Sequence, residues 1–155
     1  MHLYLVQHGE SVTKDIDPVR PLSEQGRNDV GKVAQFVANN CRLNLSHVHH
    51  SGKLRARQTA EIFAARLGIS PPVQSEDLAP LDDPLLWVER FDELTVDTML
   101  VGHLPHLARL AGALLCGGAD LAPVSFRMGG ILALAREEEQ WSLQWMVVPD
   151  ILAMP

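Results

Sequence analysis

The chain has 155 residues, 46% of them hydrophobic, and a formal net charge of −6 at pH 7. That length suits a single domain over residues 1–155 with its own core, and the acidic balance excludes the globally basic surface of a nucleic-acid binder. No apolar run is long enough to cross a bilayer, no signal peptide pattern opens the chain, and Cys41 and Cys116, far apart and without a CxxC, read as free thiols of a reducing cytoplasm.

Leu3 to Gln7 is a short apolar run that stops at His8-Gly9-Glu10, the pattern of a buried strand entering a tight turn. Pro18 to Gly26 is a turn-rich connection. Val30, Val33, Ala34 and Val37 then fall on one face of a helix. Leu45 to His50 is a second strand candidate. A helix from about Leu54 to Leu67 ends at Gly68, a suitable C-terminal residue. Ser70 to Pro84, rich in proline and acids, reads as a loop, and Leu85 to Leu94 as a short helix carrying Trp87 and Phe91. Thr98 to Val101 is a third buried strand, ending at Gly102-His103. Leu104 to Leu115 is a strongly apolar helix closed by Gly117-Gly118. Gly130 to Val148 reads as two more strands around a Glu137-Glu138-Glu139 turn, with Trp141 and Trp145 half-buried on it. Strands alternating with helices predict an α/β three-layer fold, a mostly parallel central sheet flanked by helices.

Two histidines share one context. His8 and His103 each stand where a buried strand gives way to a turn, and open α/β sheets bind ligands outside the carboxyl ends of their strands. Arginine suits a phosphate, because its planar guanidinium matches two oxygens at once. Arg20 stands in the loop after the first strand. Arg55 and Arg57 follow the second strand at a helix start, where backbone N–H groups also favour anions. Either arginine of that pair reads equally as a solvated helix charge. Gly9 allows backbone to approach a ligand, and Ser11 and Thr13 can help cradle a phosphate. In a strand His47 and His49 share one face and His50 takes the other, and no carboxylate or cysteine completes a ligand set. No metal or cofactor is expected.

Four segments together resemble the histidine phosphatase (phosphoglycerate mutase-like) superfamily. Gln7-His8-Gly9-Glu10 is similar to its Arg-His-Gly-Glu element, and Arg20-Pro21-Leu22-Ser23-Glu24-Gln25-Gly26 to its Arg-Pro-Leu-Ser/Thr-x-x-Gly element. Ser51 to Thr59 is similar to Ser-x-x-x-Arg-Ala-x-Gln-Thr, and Gly102-His103-Leu104-Pro105 to the second-histidine element. They occur in family order. The short length and the ending from Trp141 to Leu152 resemble the SixA-type phosphohistidine phosphatases. The resemblance implies a phosphoglycerate mutase-like fold and a role for each residue. His8 would become transiently phosphorylated, and His103 would hydrogen-bond the transferring group. Arg20 and Arg55 would clamp its oxygens, with Gln7, Gly9 and Ser11 lining the phosphate. The implied partner is a phosphohistidine-containing protein such as a phosphotransfer domain, with inorganic phosphate as product. Glu76, Asp77, Asp82 and Asp83 lie in a loop where many relatives carry a proton donor, and none is singled out.

Gln7 departs from the pattern, which has arginine there. Glutamine keeps amide donors but loses the charge and the bidentate fork. A charge-assisted hydrogen bond contributes about 1.5–3 kcal/mol, a factor of about ten to a hundred or more in rate if lost only in the transition state. Two alternatives therefore stand beside the phosphohistidine phosphatase: a low-activity or non-catalytic binder of phosphate or phosphoproteins, and a small-molecule phosphomonoesterase. Lys14, Lys53 and Arg57 are the nearby cations that could compensate.

Overall fold

The apolar run that opens the chain is covered on both sides in the computed structural model, which describes residues 1–152. It forms β1 (His2–Gln7), followed by α1 (Glu24–Asn40), β2 (Val48–His50), α2 (Leu54–Leu67), β3 (Val73–Gln74), α3 (Leu85–Glu93), β4 (Thr98–Gly102), α4 (His106–Cys116), β5 (Ile131–Glu137) and β6 (Gln140–Val147). A 3-10 turn, Pro149–Leu152, follows. The strands make one six-stranded sheet in the order β3-β2-β4-β1-β5-β6. The first four in that order are parallel, and β5 and β6 are antiparallel. The sheet is therefore mostly parallel, as the alternation of strands and helices predicts.

The period of two along a strand divides the core into two layers. Tyr4, Val6, Met99 and Val101 face α1 and α2, packing with Val33, Val37 and Phe63. Leu3, Leu5 and Leu100 face α3 and α4, packing with Phe91, Leu107 and Leu110. Removing a side chain such as fully buried Phe63 costs about 3–5 kcal/mol by cavity formation. The helix ends follow local chemistry. Ser23 caps α1, its Oγ accepting from the Gly26 N–H at 3.0 Å. Gly68 (φ 66°) and Gly117 (φ 73°) close α2 and α4 in the left-handed conformation.

Three elements differ from the pattern reading. The second strand is only Val48–His50, because Ser46 and His47 are exposed and its partner β4 meets it from Met99 onward. The loop after α2 contains β3, two exposed residues paired with His49 and His50. Its hydropathy carries no strand signal, since neither side chain is buried. α4 begins at His106, with Pro105 ahead of it. The acidic turn is a two-residue hairpin loop: Glu137 pairs with Gln140, and Glu138 (φ 47°) and Glu139 (φ 67°) both occupy the left-handed region. Trp87 is buried, while Trp141 and Trp145 are half-buried on the edge hairpin. Cys41 and Cys116 are free thiols. No helix of the described residues is long and apolar enough to cross a membrane.

Candidate active site

β1, β4 and β2 end side by side, delivering Gln7-His8, Gly102-His103 and His50-Ser51 to one edge of the sheet. The His8 N–H donates to the Gly102 carbonyl at 3.0 Å, and the His8 and His103 ring centroids stand 5.0 Å apart. The two strand-end histidines therefore face one crevice.

The His8 ring is held in one tautomer. Its Nδ1 lies 2.7 Å from the Gly9 carbonyl, which can only accept, so Nδ1 carries the proton. Nε2 is left with its lone pair, and the Arg55 Nε–H donates toward it at 3.4 Å. Burial lowers the His8 pKa to about 4, with the Arg55 and Arg20 cations acting in the same direction. Its ring is thus neutral near pH 7, the state a nucleophile needs. Burial likewise lowers His103 to about 3, helped by His8, Arg55 and Lys53. Desolvation, and after it the neighbouring Arg20 cation, lower Arg55 too.

The turn that carries His8 is clasped from two sides. The Gly9 N–H donates to Thr59 Oγ1 at 3.0 Å, and that hydroxyl donates to the Arg55 carbonyl at 2.8 Å. A Cβ on Gly9 would come within 2.7 Å of Val30, so only glycine fits under α1. The Leu22 N–H donates to Gln58 Oε1 at 2.8 Å, and the Ser23 N–H to the Glu10 carbonyl at 2.9 Å. Arg20 adopts φ 51°, a conformation that costs a non-glycine residue about 1–2 kcal/mol. Its guanidinium is fixed there by Val12 O at 3.2 Å and Ser11 Oγ at 3.0 Å. Ser11 thus orients Arg20.

His103, 1% exposed, has Nε2 2.6 Å from Ser51 Oγ, and its Nδ1 is unpartnered among the described residues. Gln7 is half-buried, with its backbone paired to Gly102 and its carbonyl accepting from the Gly129 N–H at 3.0 Å. Its side chain hydrogen-bonds none of the described residues.

The structure thus brings His8, His103, Arg20, Arg55, Gln7, Gly9 and Ser11 to one end of the sheet. It also separates the two arginines of α2. Arg57 is exposed and paired with Glu61 at 2.8 Å, a solvated helix charge. Three of the four loop acids are already engaged. Asp77 pairs with Arg90, Asp82 accepts from the Ala79 N–H at 2.8 Å, and Asp83 from the Leu85 N–H at 3.0 Å. Glu76 is exposed. His47 and His49 line a separate cavity of about 280 Å³ with Trp87, while the His50 Nδ1 accepts from the Gly52 N–H at 3.1 Å. No group of three His, Cys, Asp or Glu among the described residues is arranged to hold a metal ion. Sequence reasoning missed Ser51, Gln58 and Thr59 as the residues that hold His103 and the two loops. Their spacing offered a signal: Arg55, Gln58 and Thr59 stand at i, i+3 and i+4 on one helix face.

The model of the histidine phosphatase superfamily (branch 1) matches residues 3–82. The chain belongs to that superfamily. This histidine phosphatase family member is 38% identical over 142 residues to an uncharacterized protein of Picosynechococcus sp., covering 86% of this chain and 84% of that one. Its fold is similar to that of the protein histidine phosphatase SixA complexed with tungstate, with a TM-score of 0.84, 23% identity, and coverage of 98% of this chain and 99% of that one. It is also similar to the alpha-ribazole phosphatase of Shigella flexneri, with a TM-score of 0.74, 15% identity, and coverage of 93% and 95%. One fold therefore serves phosphatases acting on different substrates, and the substrate must be argued from the site.

Proposed function

We propose that this family member is a phosphohistidine phosphatase acting on a phosphorylated protein. The observation that carries the chemistry is the His8 tautomer: Nδ1–H is fixed on the Gly9 carbonyl, and Nε2 is unprotonated, with only a long contact from the Arg55 Nε–H. In the first step Nε2 attacks phosphorus. The new N–P bond forms as the P–N bond to the substrate imidazole breaks. The leaving imidazole takes a proton from solvent, so no side-chain acid is required. Water then attacks the phosphoryl group on His8, orthophosphate departs, and the lone pair returns to Nε2. Arg20, Arg55 and His103 surround the transferring oxygens, supplying positive charge and hydrogen bonds where negative charge spreads. The Gly9 carbonyl holds the His8 ring and Ser11 holds Arg20, and Gln7 offers an amide donor.

The surroundings favour a protein substrate. Leu104 follows His103 and is 40% exposed, Ile16 and Val19 lie in the loop that ends at Arg20, and Met128 precedes the glycine bonded to Gln7 and His8. Exposed apolar side chains on the loops of a charged site suit a folded partner better than a small polar phosphomonoester. The tungstate bound by SixA, a tetrahedral oxyanion, is in keeping with a phosphate site in this fold.

The test is hydrolysis of a phosphohistidine-bearing phosphotransfer domain, followed by loss of label. The expected result is release of phosphate that His8→Ala abolishes. A rate equal to that of His8→Ala overturns the reading. Gln7 favours a second reading, a phosphoprotein binder with little turnover, which predicts phosphate affinity without hydrolysis.

A further inference from the structure

We propose that Lys53 supplies the positive charge that Gln7 withholds, reaching the phosphoryl group from the α2 side of His103. The proposal rests on the phosphatase reading above. Lys53 occupies the N-cap position of α2. Its backbone N–H donates to Ser51 Oγ at 3.4 Å, and the same oxygen lies 2.6 Å from His103 Nε2. The Lys53 backbone is therefore two hydrogen bonds from the imidazole. Neighbouring strands lie about 4.8 Å apart, so Gln7 at the end of β1 and Ser51 after β2 flank the end of β4 from opposite sides. In the proposed site a phosphoryl group between His8 and His103 would have Gln7 on the β1 side and Lys53 on the β2 side.

The other cations named for this task are placed differently. Arg57 is committed to Glu61. Lys14 lies exposed in the turn that leads to Asp17, with no hydrogen bond tying it to either histidine. Lys53 is exposed and takes part in no salt bridge among the described residues. Its charge is also felt at His103, where it opposes protonation of the ring. A lysine is a compact charge on a flexible arm, so it can replace a missing guanidinium charge without the fixed geometry of a fork.

Two variants, Lys53→Met and Lys53→Arg, are to be assayed alone and in a Gln7→Arg background. The substrate is a phosphohistidine peptide made with phosphoramidate, and tungstate is the inhibitor. We expect Lys53→Met to lower kcat/KM about tenfold and to weaken tungstate binding to a similar degree. Lys53→Arg should stay within about threefold of the parent. With Gln7→Arg in place, Lys53→Met should cost less than about threefold, because the introduced guanidinium restores the charge. Unfolding midpoints should not move, since Lys53 is exposed. A threefold or greater loss that shrinks in the Gln7→Arg background supports the proposal. A smaller loss, or the same loss in both backgrounds, overturns it. If the parent hydrolyses the peptide no faster than His8→Ala, the phosphatase reading fails by itself. Tungstate affinity, scored by the same criterion, then decides the role of Lys53.

Discussion

Thr59→Val isolates the hydrogen bond that seats the turn carrying His8. Thr59 is fully buried, and valine matches its shape while removing the hydroxyl. Thr59 Oγ1 accepts from the Gly9 N–H at 3.0 Å and donates to the Arg55 carbonyl at 2.8 Å. The Arg55 carbonyl keeps its helical partner, the Thr59 N–H, so its loss is small. The Gly9 N–H loses its partner inside the protein, and an unsatisfied buried donor costs about 1–3 kcal/mol. In a domain of this size each kcal/mol moves the melting temperature by about 2–4 °C, so the midpoint should fall by about 2–12 °C. Activity should fall as well, on the order of tenfold, because the Gly9 carbonyl fixes the His8 ring. Thr59→Ser is the control: it loses a methyl group but keeps both hydrogen bonds, so kcat should stay near the parent value. Urea unfolding and initial rates measure both effects. A Thr59→Val protein within about 0.5 kcal/mol of the parent, with unchanged kcat, would refute the assigned role.

Acid should destabilise the fold through its histidines. Unfolded histidines take up protons below about pH 6.5, whereas folded His8 and His103 resist until about 4 and about 3. The folded state binds fewer protons in that window, so stability falls as pH drops from about 6.5 towards 4. Urea midpoints should show a shallower slope there for a His8→Gln/His103→Gln protein, and equal slopes would contradict the shifts. Two glycines of α1 should respond oppositely to alanine. A Cβ on Gly26 would lie 2.1 Å from the Glu10 carbonyl, so Gly26→Ala should cost about 3 kcal/mol, whereas Gly31 faces open space and Gly31→Ala should gain about 0.5–1 kcal/mol. In the hairpin, Glu138→Asn with Glu139→Gly relieves two left-handed glutamates and should stabilise by about 1 kcal/mol, read from the thermal midpoint.

Much of the frame was legible without coordinates. The apolar run to Gln7 marks a strand covered on both faces, Ser23 a helix start, and Gly68 and Gly117 helix ends, because each signal is carried by neighbours in the chain. The histidines at strand ends and the four family-like segments pointed to the crevice for the same reason. Tertiary packing decided the rest. It chose Arg55 over Arg57, set Asp77, Asp82 and Asp83 on other partners, and parted His47 and His49 from His50. It gave β3 its identity, since two exposed residues become a strand only beside β2. The contacts that hold the site, Gly9 to Thr59 and Ser51 to His103, join residues 50 and 52 apart in sequence. Local propensity acts over a few residues, so no pattern could announce those bonds. They exist because the sheet places the ends of β1, β4 and β2 together and α2 crosses behind them. Sequence alone determined that Gln7 stands where an arginine is expected. Only the packed structure brings the Lys53 backbone, through Ser51, beside His103, because that contact joins segments far apart in the chain.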